Sequence, residues 1–474
     1  MGSYDGGRFA ISLAVTLKGS SHMTLLSSLL QQLESPNLSR DQSAELRCQL
    51  AKGLEDAGDY EAARQVLGEF WQYMGERPRV EGLDQRTAAE VLLRVGVLTG
   101  WIGSKQQIAD AQETAKDFIS ESVSTFESFN YGNKILEARV ELALCYWREG
   151  SYDEARIMLN DVLAELTAND ELKAKAILRL AIVERSSQRL NEALQILIDN
   201  AEVFEGITNH TLKGSYHNNL ANLWEDIGKA ERREDYTDRA FVEYAAASYY
   251  FEQAEHKSYH ANVENNLGYL YFKSGKYKEA HEHLDRARRI VLSLKDNYLL
   301  GQFEETRARV FLCEGRNTEA EKTARAAVEL LEQSDQQDLL AEALIAHGTA
   351  LARLGFYSQS YATLQHAIET AQQAGALGRA GEAALILIEE LGEHLNPRKE
   401  KTSASRTLVE EVRRYEYDLI RRALEATRGS VTRAAKMLGV THQRLIYIIE
   451  KRHKDLRSFR TPAKRRYKSI IKPE

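Results

Sequence analysis

From about residue 44 to residue 395, apolar positions recur three and four residues apart, the spacing that gathers side chains on one face of an α-helix. Short polar turns interrupt them. Before Gly275 stand Leu267, Gly268 and Tyr271, and after it Ala280, Leu284 and Ala287. The first set predicts one face of a helix and the second the facing side of its partner. Gly268 and Ala280 are small where the two must approach closely, and Tyr277 is placed to wedge the turn. The same frame supplies Leu50, Ala51, Leu54, Ala63 and Leu67, then Leu142, Ala143, Tyr146, Ala155 and Leu159. It returns as Leu180, Ala181, Ala193 and Leu197, and again as Gly348, Leu351, Leu364 and Ala367.

The turns themselves repeat. Gly-Asp-Tyr-Glu-Ala-Ala opens at Gly58, Gly-Ser-Tyr-Asp-Glu-Ala at Gly150, Gly-Lys-Tyr-Lys-Glu-Ala at Gly275, Gly-Arg-Asn-Thr-Glu-Ala at Gly315 and Gly-Phe-Tyr at Gly355. This pattern closely resembles the tetratricopeptide repeat family over about 44–395. The last three glycines are 40 residues apart, longer than that family's usual unit of about 34, which predicts longer helices and loops, with the least regular register around 101–112 and 228–240. One helical hairpin cannot hide both faces, whereas stacked neighbours can, so an α-solenoid follows.

The resemblance implies a groove for a peptide or protein, lined by first-helix positions that stacking does not use. By the frame these include Asn218, Asn222, Asn262, Asn265 and Tyr269. Asparagine offers a donor and an acceptor, as a peptide backbone requires. A second reading stays open. Asn219 and Asn266, beside Leu220 and Leu267, fit bonds between neighbouring repeats, and the whole cluster could serve that purpose.

Charge divides the chain. Residues 401–474 hold 20 Lys and Arg against 8 Asp and Glu, while residues 1–400 hold 43 against 62. An acidic body carrying a basic end predicts that only the end meets a polyanion. Within that end, Leu408, Val412, Tyr415, Leu419, Ile420 and Leu424 form an apolar helical stripe, with Arg413, Arg414, Arg421 and Arg422 left to solvent. Arg428-Gly429-Ser430 stops this helix, and Ser430 is a candidate N-cap for the run from Val431 to Leu438. Gly439 then supplies a left-handed turn and Thr441 caps the next helix. Val440 is expected to point inward with Ala434, Leu438, Leu445 and Ile448.

Tyr417 through Arg452 resembles the C-terminal helix-turn-helix of the Fis family, on Ile420-Arg-Arg-Ala-Leu-Glu425, Ala434-Ala435 and Leu438-Gly-Val-Thr441. The resemblance implies a final helix in the DNA major groove and a homodimer, whose reading helices address half-sites about 34–36 Å apart. His442, Gln443, Arg444, Tyr447 and Lys451 are the base-contact candidates. Arg444 suits guanine and Gln443 adenine, while His442 and Tyr447 equally fit phosphate or a thymine methyl. Arg433 and Lys436 are phosphate candidates, joined by Arg452, Lys454, Arg457, Arg460, Lys464, Arg465 and Arg466, and such contacts weaken as salt rises. Leu408, Val412, Tyr415 and Leu419 serve either the dimer or packing within one subunit. Ile446 departs from the polar residue the family often presents there, and Ile449 adds apolar area. Both keep open a module that assembles protein.

Other chemistry is sparse. Cys48, Cys145 and Cys313 are dispersed and form neither a disulfide framework nor a metal-ligand set, which suggests a reducing compartment. His256, His260, His281 and His283 lack a metal-binding spacing and read as polar residues on helical surfaces. No phosphate-loop, dinucleotide or nucleophile-elbow motif appears, so no enzyme, cofactor or metal is expected. No apolar run reaches 18 residues, which argues against a membrane span.

The expected organisation is all-α: residues 1–22 a cloning remnant, or less readily a weak signal peptide, 23–397 a tetratricopeptide-like solenoid, 398–405 a linker, 406–454 a Fis-type helix-turn-helix and 455–474 a basic tail. The expected function is a cytoplasmic DNA-binding transcriptional regulator whose solenoid receives or assembles a peptide or protein, with double-stranded DNA as partner. The alternative is a scaffold whose C-terminal helices mediate protein association.

Overall fold

The computed structural model describes residues 21–459 apart from 107, 234, 333–335 and 392–407. The described residues form helices and turns, with no strand among them. The remnant expected at 1–22, save its last two residues, and the linker at 398–405 lie outside the described residues. The chain divides into two compact units, 1–294 and 295–474.

In the first unit a leading helix α1 (Ser21–Leu33) precedes α2 (Arg40–Asp56), α3 (Tyr60–Leu67), α4 (Gln85–Gln106), α5 (Ala111–Ser128), α6 (Gly132–Arg148) and α7 (Tyr152–Glu165). There follow α8 (Glu171–Ser186), α9 (Leu190–Asp199), the short α10 (Ala201–Gly206), α11 (His210–Glu231), α12 (Asp235–Gln253), α13 (Lys257–Lys273) and α14 (Tyr277–Leu294). Successive helices pair as antiparallel hairpins. At the α13–α14 turn Gly275 has φ +71°, and the Lys276 amide reaches back to the Tyr271 carbonyl at 2.9 Å. This is the six-residue closure that a left-handed residue permits. The α8–α9 turn closes in the same way without glycine: Gln188 takes φ +64° and the Arg189 amide meets the Glu184 carbonyl at 2.9 Å. Behind the turn, a Cβ on Gly268 would sit 2.6 Å from Leu284 Cγ, so only glycine lets α13 and α14 pack at this distance.

Each interface buries the predicted apolar frame, including Leu50, Ala63 and Leu67, Ala143, Ala155 and Leu159, and Leu267, Ala280 and Leu284. One charged knot is buried with them. Arg94 on α4 is 1% exposed and lies 2.9 Å from both Glu55 on α2 and Glu137 on α6. A buried guanidinium is tolerated only with such multiple partners, and here they join three consecutive first helices.

The second unit continues the repeat through α15 (Asn297–Cys313), α16 (Asn317–Leu331), α17 (Gln337–Arg353), α18 (Tyr357–Gln373) and α19 (Leu377–Leu391). Then come α20 (Leu408–Ala426), α21 (Val431–Met437), α22 (His442–Lys451) and a terminal 3-10 turn, Lys454–Phe459. The apolar stripe of α20 is spent within this unit. Val412 packs with Ala352, Leu364 and Leu387, Tyr415 hydroxyl receives a bond from Gln372, and Leu419 lies in the core around α21 and α22. Of the two roles open to the stripe, these three residues take the internal one. The Leu408 side chain lies outside the described residues. No described helix is long and apolar enough to cross a membrane.

Candidate nucleic-acid interface and candidate ligand groove

The three C-terminal helices are set by two backbone reversals. Arg428 and Gly429 both take positive φ, +53° and +79°, and end α20. Ser430 stands at the N-cap of α21, but its hydroxyl makes no capping bond, and the neighbouring Thr427 hydroxyl turns back to the Ala423 carbonyl at 2.7 Å. Gly439, at φ +66°, separates α21 from α22. Thr441 Oγ1 then accepts the Arg444 amide at 3.2 Å, which caps α22 and orients its first turn.

Leu419, Ile420, Ala423 and Leu424 from α20 meet Ala434, Ala435, Leu438, Leu445, Ile448 and Ile449 in one core. Val440 and Ile446 pack against it. Ile449 is fully buried, so the extra apolar area noted on α22 is interior. The fold continues beyond 454, because Leu456 in the terminal turn is also fully buried.

What α22 leaves exposed is polar or aromatic. His442, Gln443, Arg444, Tyr447 and Lys451 all face solvent, as do Arg433 and Lys436 on α21. The outer basic residues differ in their freedom. Arg452 Nη1 is 3.2 Å from Glu416, which also holds His453 Nε2 at 2.6 Å. Arg457 pairs with Glu450, and Lys454 is exposed. Arg460, Lys464, Arg465 and Arg466 lie outside the described residues. Sequence pattern could not foresee Glu416, since it is one of five acids on α20 and nothing in their spacing marks the long-range pairs it makes.

In the first unit, the inner faces of α2, α4, α6, α8, α11 and α13 surround a groove of about 470 Å³. Asn218, Asn222 and Asn262 line it, together with Asn209, Asn219 and Asn266. Asn265 does not: it shares the packed face of α13 with Ala261 and Gly268 and is buried there. Tyr269 lies a turn beyond the cavity, its ring beneath Lys273 at 5.4 Å. Asn219 Nδ2 bonds the Ser215 carbonyl within its own helix, at 2.8 Å, rather than bridging repeats. Asn222 Oδ1 is 2.8 Å from the Tyr244 hydroxyl, whereas Asn218 Oδ1 is buried with no partner.

The charged groups of the groove are matched. Asp56 meets Lys175 at 2.9 Å, Arg179 meets Glu141 at 2.7 Å and Arg185 meets Asp226 at 2.7 Å. Burial would lower the Lys175 ammonium pKa, but Asp56, Glu141 and Glu55 outweigh it and the net shift is upward. Apolar wall comes from Trp101, Trp147, Leu178 and Phe251. Two of the chain's four tryptophans thus meet at one cavity, a convergence their sequence separation concealed.

His256 also lines the groove, and it is 2% exposed rather than on a surface. Its Nδ1 accepts the Tyr259 amide at 3.3 Å and caps α13. His283 lies 2.9 Å from the fully buried Glu264, and His260 3.7 Å from it. These histidines belong to packed interfaces because α13 and α14 turn that face inward. Among the described residues, no group of three or more His, Cys, Asp or Glu is placed to hold a metal ion.

Residues 411–451 match the Fis family of bacterial regulatory proteins. A comparison with curated protein sequences found no match. Among solved structures, the chain is similar to a Rap protein complexed with Competence and Sporulation Factor, at 14% identity and TM-score 0.51, over 78% of this chain and 99% of that one. It is also similar to a signal-transduction ATPase with numerous domains from Pyrococcus horikoshii, which has a tetratricopeptide repeat sensor, at 12% identity and TM-score 0.55, over 88% and 73%. A human IFIT1 dimer with m7Gppp-AAAA aligns at 14% identity and TM-score 0.51, over 82% of each chain. At such identities the likeness is one of fold: an all-α, tetratricopeptide-like solenoid, here followed by a Fis-type helix-turn-helix.

Proposed function

We propose that this chain is a DNA-binding transcriptional regulator, with α22 as the helix that enters the major groove. The observation that carries the reading is the division of α22: Leu445, Ile448 and Ile449 anchor it in the core, while His442, Gln443, Arg444, Tyr447 and Lys451 are exposed on the other side. The cap at Thr441 points the first turn outward, where a reading helix makes its base contacts. Arg433 and Lys436 lie on the preceding helix, suited to phosphate. Selection of duplexes with the full chain across a salt series tests this. Sequence preference retained above about 0.15 M salt supports it, and loss of all preference there reduces the interaction to attraction for a polyanion.

Two copies acting together is part of the proposal, since a single short reading helix covers few bases. Val412, Tyr415 and Leu419 make internal contacts, which leaves less of the α20 stripe for pairing. Sedimentation at several concentrations, with and without a palindromic duplex, decides it. A chain that stays monomeric on both halves of a palindrome removes the dimer.

The groove of the first unit is proposed to take an extended peptide or protein segment. With its charges matched internally, what the groove offers a peptide backbone is the side-chain amides of its lining asparagines, Asn218, Asn222 and Asn262 among them. Peptide selection on the full chain, repeated with Asn218→Ala and Asn262→Ala, tests this reading. It fails if no selected sequence loses affinity in either variant.

A further inference from the structure

The last solenoid helix, α19, has two packed faces. Ala380, Ala383 and Leu387 are buried among the solenoid helices before it. On the other side Gly381, Leu385 and Ile388 meet Leu438, Val440, Leu445 and Ile448 around an apolar cavity of about 50 Å³. Two glycines face the contact. A Cβ on Gly381 would lie 3.8 Å from the Leu438 carbonyl, and one on Gly439 would lie 3.7 Å from Gly378 Cα. α19 is therefore a wall of both cores, and its C-terminal turn is held beside the start of α22.

At that turn Glu389 Oε1 lies 3.7 Å from Nη2 of Arg444. Its neighbours point elsewhere: Glu382 pairs with Arg379 and Glu390 with Arg353. Among the described residues, Glu389 is the carboxylate that Arg444 reaches. Arg444 is also the side chain best suited to a guanine edge on α22, where two N–H groups would match O6 and N7. At 3.7 Å the contact is an ion pair rather than a hydrogen bond, so the carboxylate offsets part of the charge the guanidinium offers DNA, and it repels the phosphates that follow.

We propose that Glu389 is an intramolecular competitor of DNA for Arg444, so that the last solenoid helix sets how tightly the reading helix takes its site. The pair is about half exposed, so its effect is modest. It acts on binding in a distinctive way. A complex that uses Arg444 must first break the pair, whereas a complex that leaves Arg444 idle keeps it. Removing the carboxylate therefore favours the duplex that Arg444 reads at least as much as any other. A change that moves α19 would act through the same contact, because the competitor and the wall are one helix.

This inference rests on the DNA-reading proposal, and one set of titrations separates the two. The full chain, Glu389→Gln and Glu390→Gln are titrated at fixed salt against a duplex recovered by selection and against its scrambled form, alone and combined with Arg444→Ala. Glu390→Gln removes the same charge from the same helix without touching Arg444. Glu389→Gln is expected to tighten the selected duplex about two- to five-fold, the scale of a half-exposed ion pair. Glu390→Gln is expected to do clearly less, and the advantage of Glu389→Gln is expected to vanish in the Arg444→Ala background. Equal gains from the two glutamine variants, or a gain that survives Arg444→Ala, overturn the competitor and leave DNA reading intact. If the unaltered chain prefers no duplex, DNA reading fails and this inference with it.

Discussion

The imidazole of His256 occupies the space that a side chain on Gly58 would need: a Cβ there would lie 2.6 Å from Cε1 and 2.9 Å from Nε2. Gly58 is in the turn of the first hairpin and His256 caps α13, so the contact joins distant repeats of one unit. Tyr259 stacks on the same imidazole with centroids 3.9 Å apart, and Tyr60, just past the glycine, stacks on Trp101 at 4.9 Å. All four side chains line the groove, and this clasp builds one of its walls.

Gly58→Ala is expected to be more damaging than Gly275→Ala. Both glycines have left-handed φ, +79° and +71°, which costs an L-residue about 1–2 kcal/mol. Around Gly275 the space is open, whereas at Gly58 the new methyl also displaces the buried imidazole. The expected loss is about 1–2 kcal/mol for Gly275→Ala and roughly 1 kcal/mol more for Gly58→Ala, the cost of a small overpacking. Urea unfolding of the two variants checks it, and equal losses contradict the clasp.

The clasp should also weaken in acid. Burial disfavours the charged imidazole and lowers the His256 pKa from 6.5 to about 4. The unfolded chain then binds the proton first, so stability is whole above about pH 6.5 and is lost as pH falls towards 4. The loss is on the order of 1–3 kcal/mol. His256→Phe keeps a ring over Gly58 and removes the titration. Its unfolding free energy should fall less than that of the unaltered chain between pH 7 and pH 5, and parallel falls would refute the assignment.

Arg444→Ala is expected to lower discrimination between a selected duplex and its altered form by about 1–3 kcal/mol, the value of one bidentate base contact. Competition titrations against single-base variants read this directly. An unchanged ratio at every position removes Arg444 from base reading.

Two truncations should differ in kind. Residues 460–474 carry six Lys and Arg against one acid, so their deletion should weaken all duplexes together and flatten the salt dependence. Deletion from 455 also removes Leu456, which is fully buried in the core of the reading domain, and should destabilise that domain by about 2–5 kcal/mol, as losing a core leucine does. Melting curves beside DNA titrations separate the two, and indistinguishable melting would show that Leu456 contributes nothing.

The repeat and the turn were written locally. Apolar residues at helical spacing and a residue able to take positive φ are enough to define each hairpin, which is why the α8–α9 unit was legible even with Gln188 in place of glycine. The reading helix was legible for the same reason: Gly439, Thr441, Leu445 and Ile448 act on their immediate neighbours. What only the tertiary structure decided is which faces meet across repeats. Asn262 and Asn265 are three residues apart on one helix, yet the first lines the groove and the second is packed, because the rotation between stacked hairpins selects the face. His256 became a buried clasp, Tyr415 and Val412 were drawn against the last solenoid helices, and Glu389 came to stand against Arg444 because elements remote in sequence dock there. Such pairings depend on how whole elements dock, and no single stretch of sequence carries that arrangement.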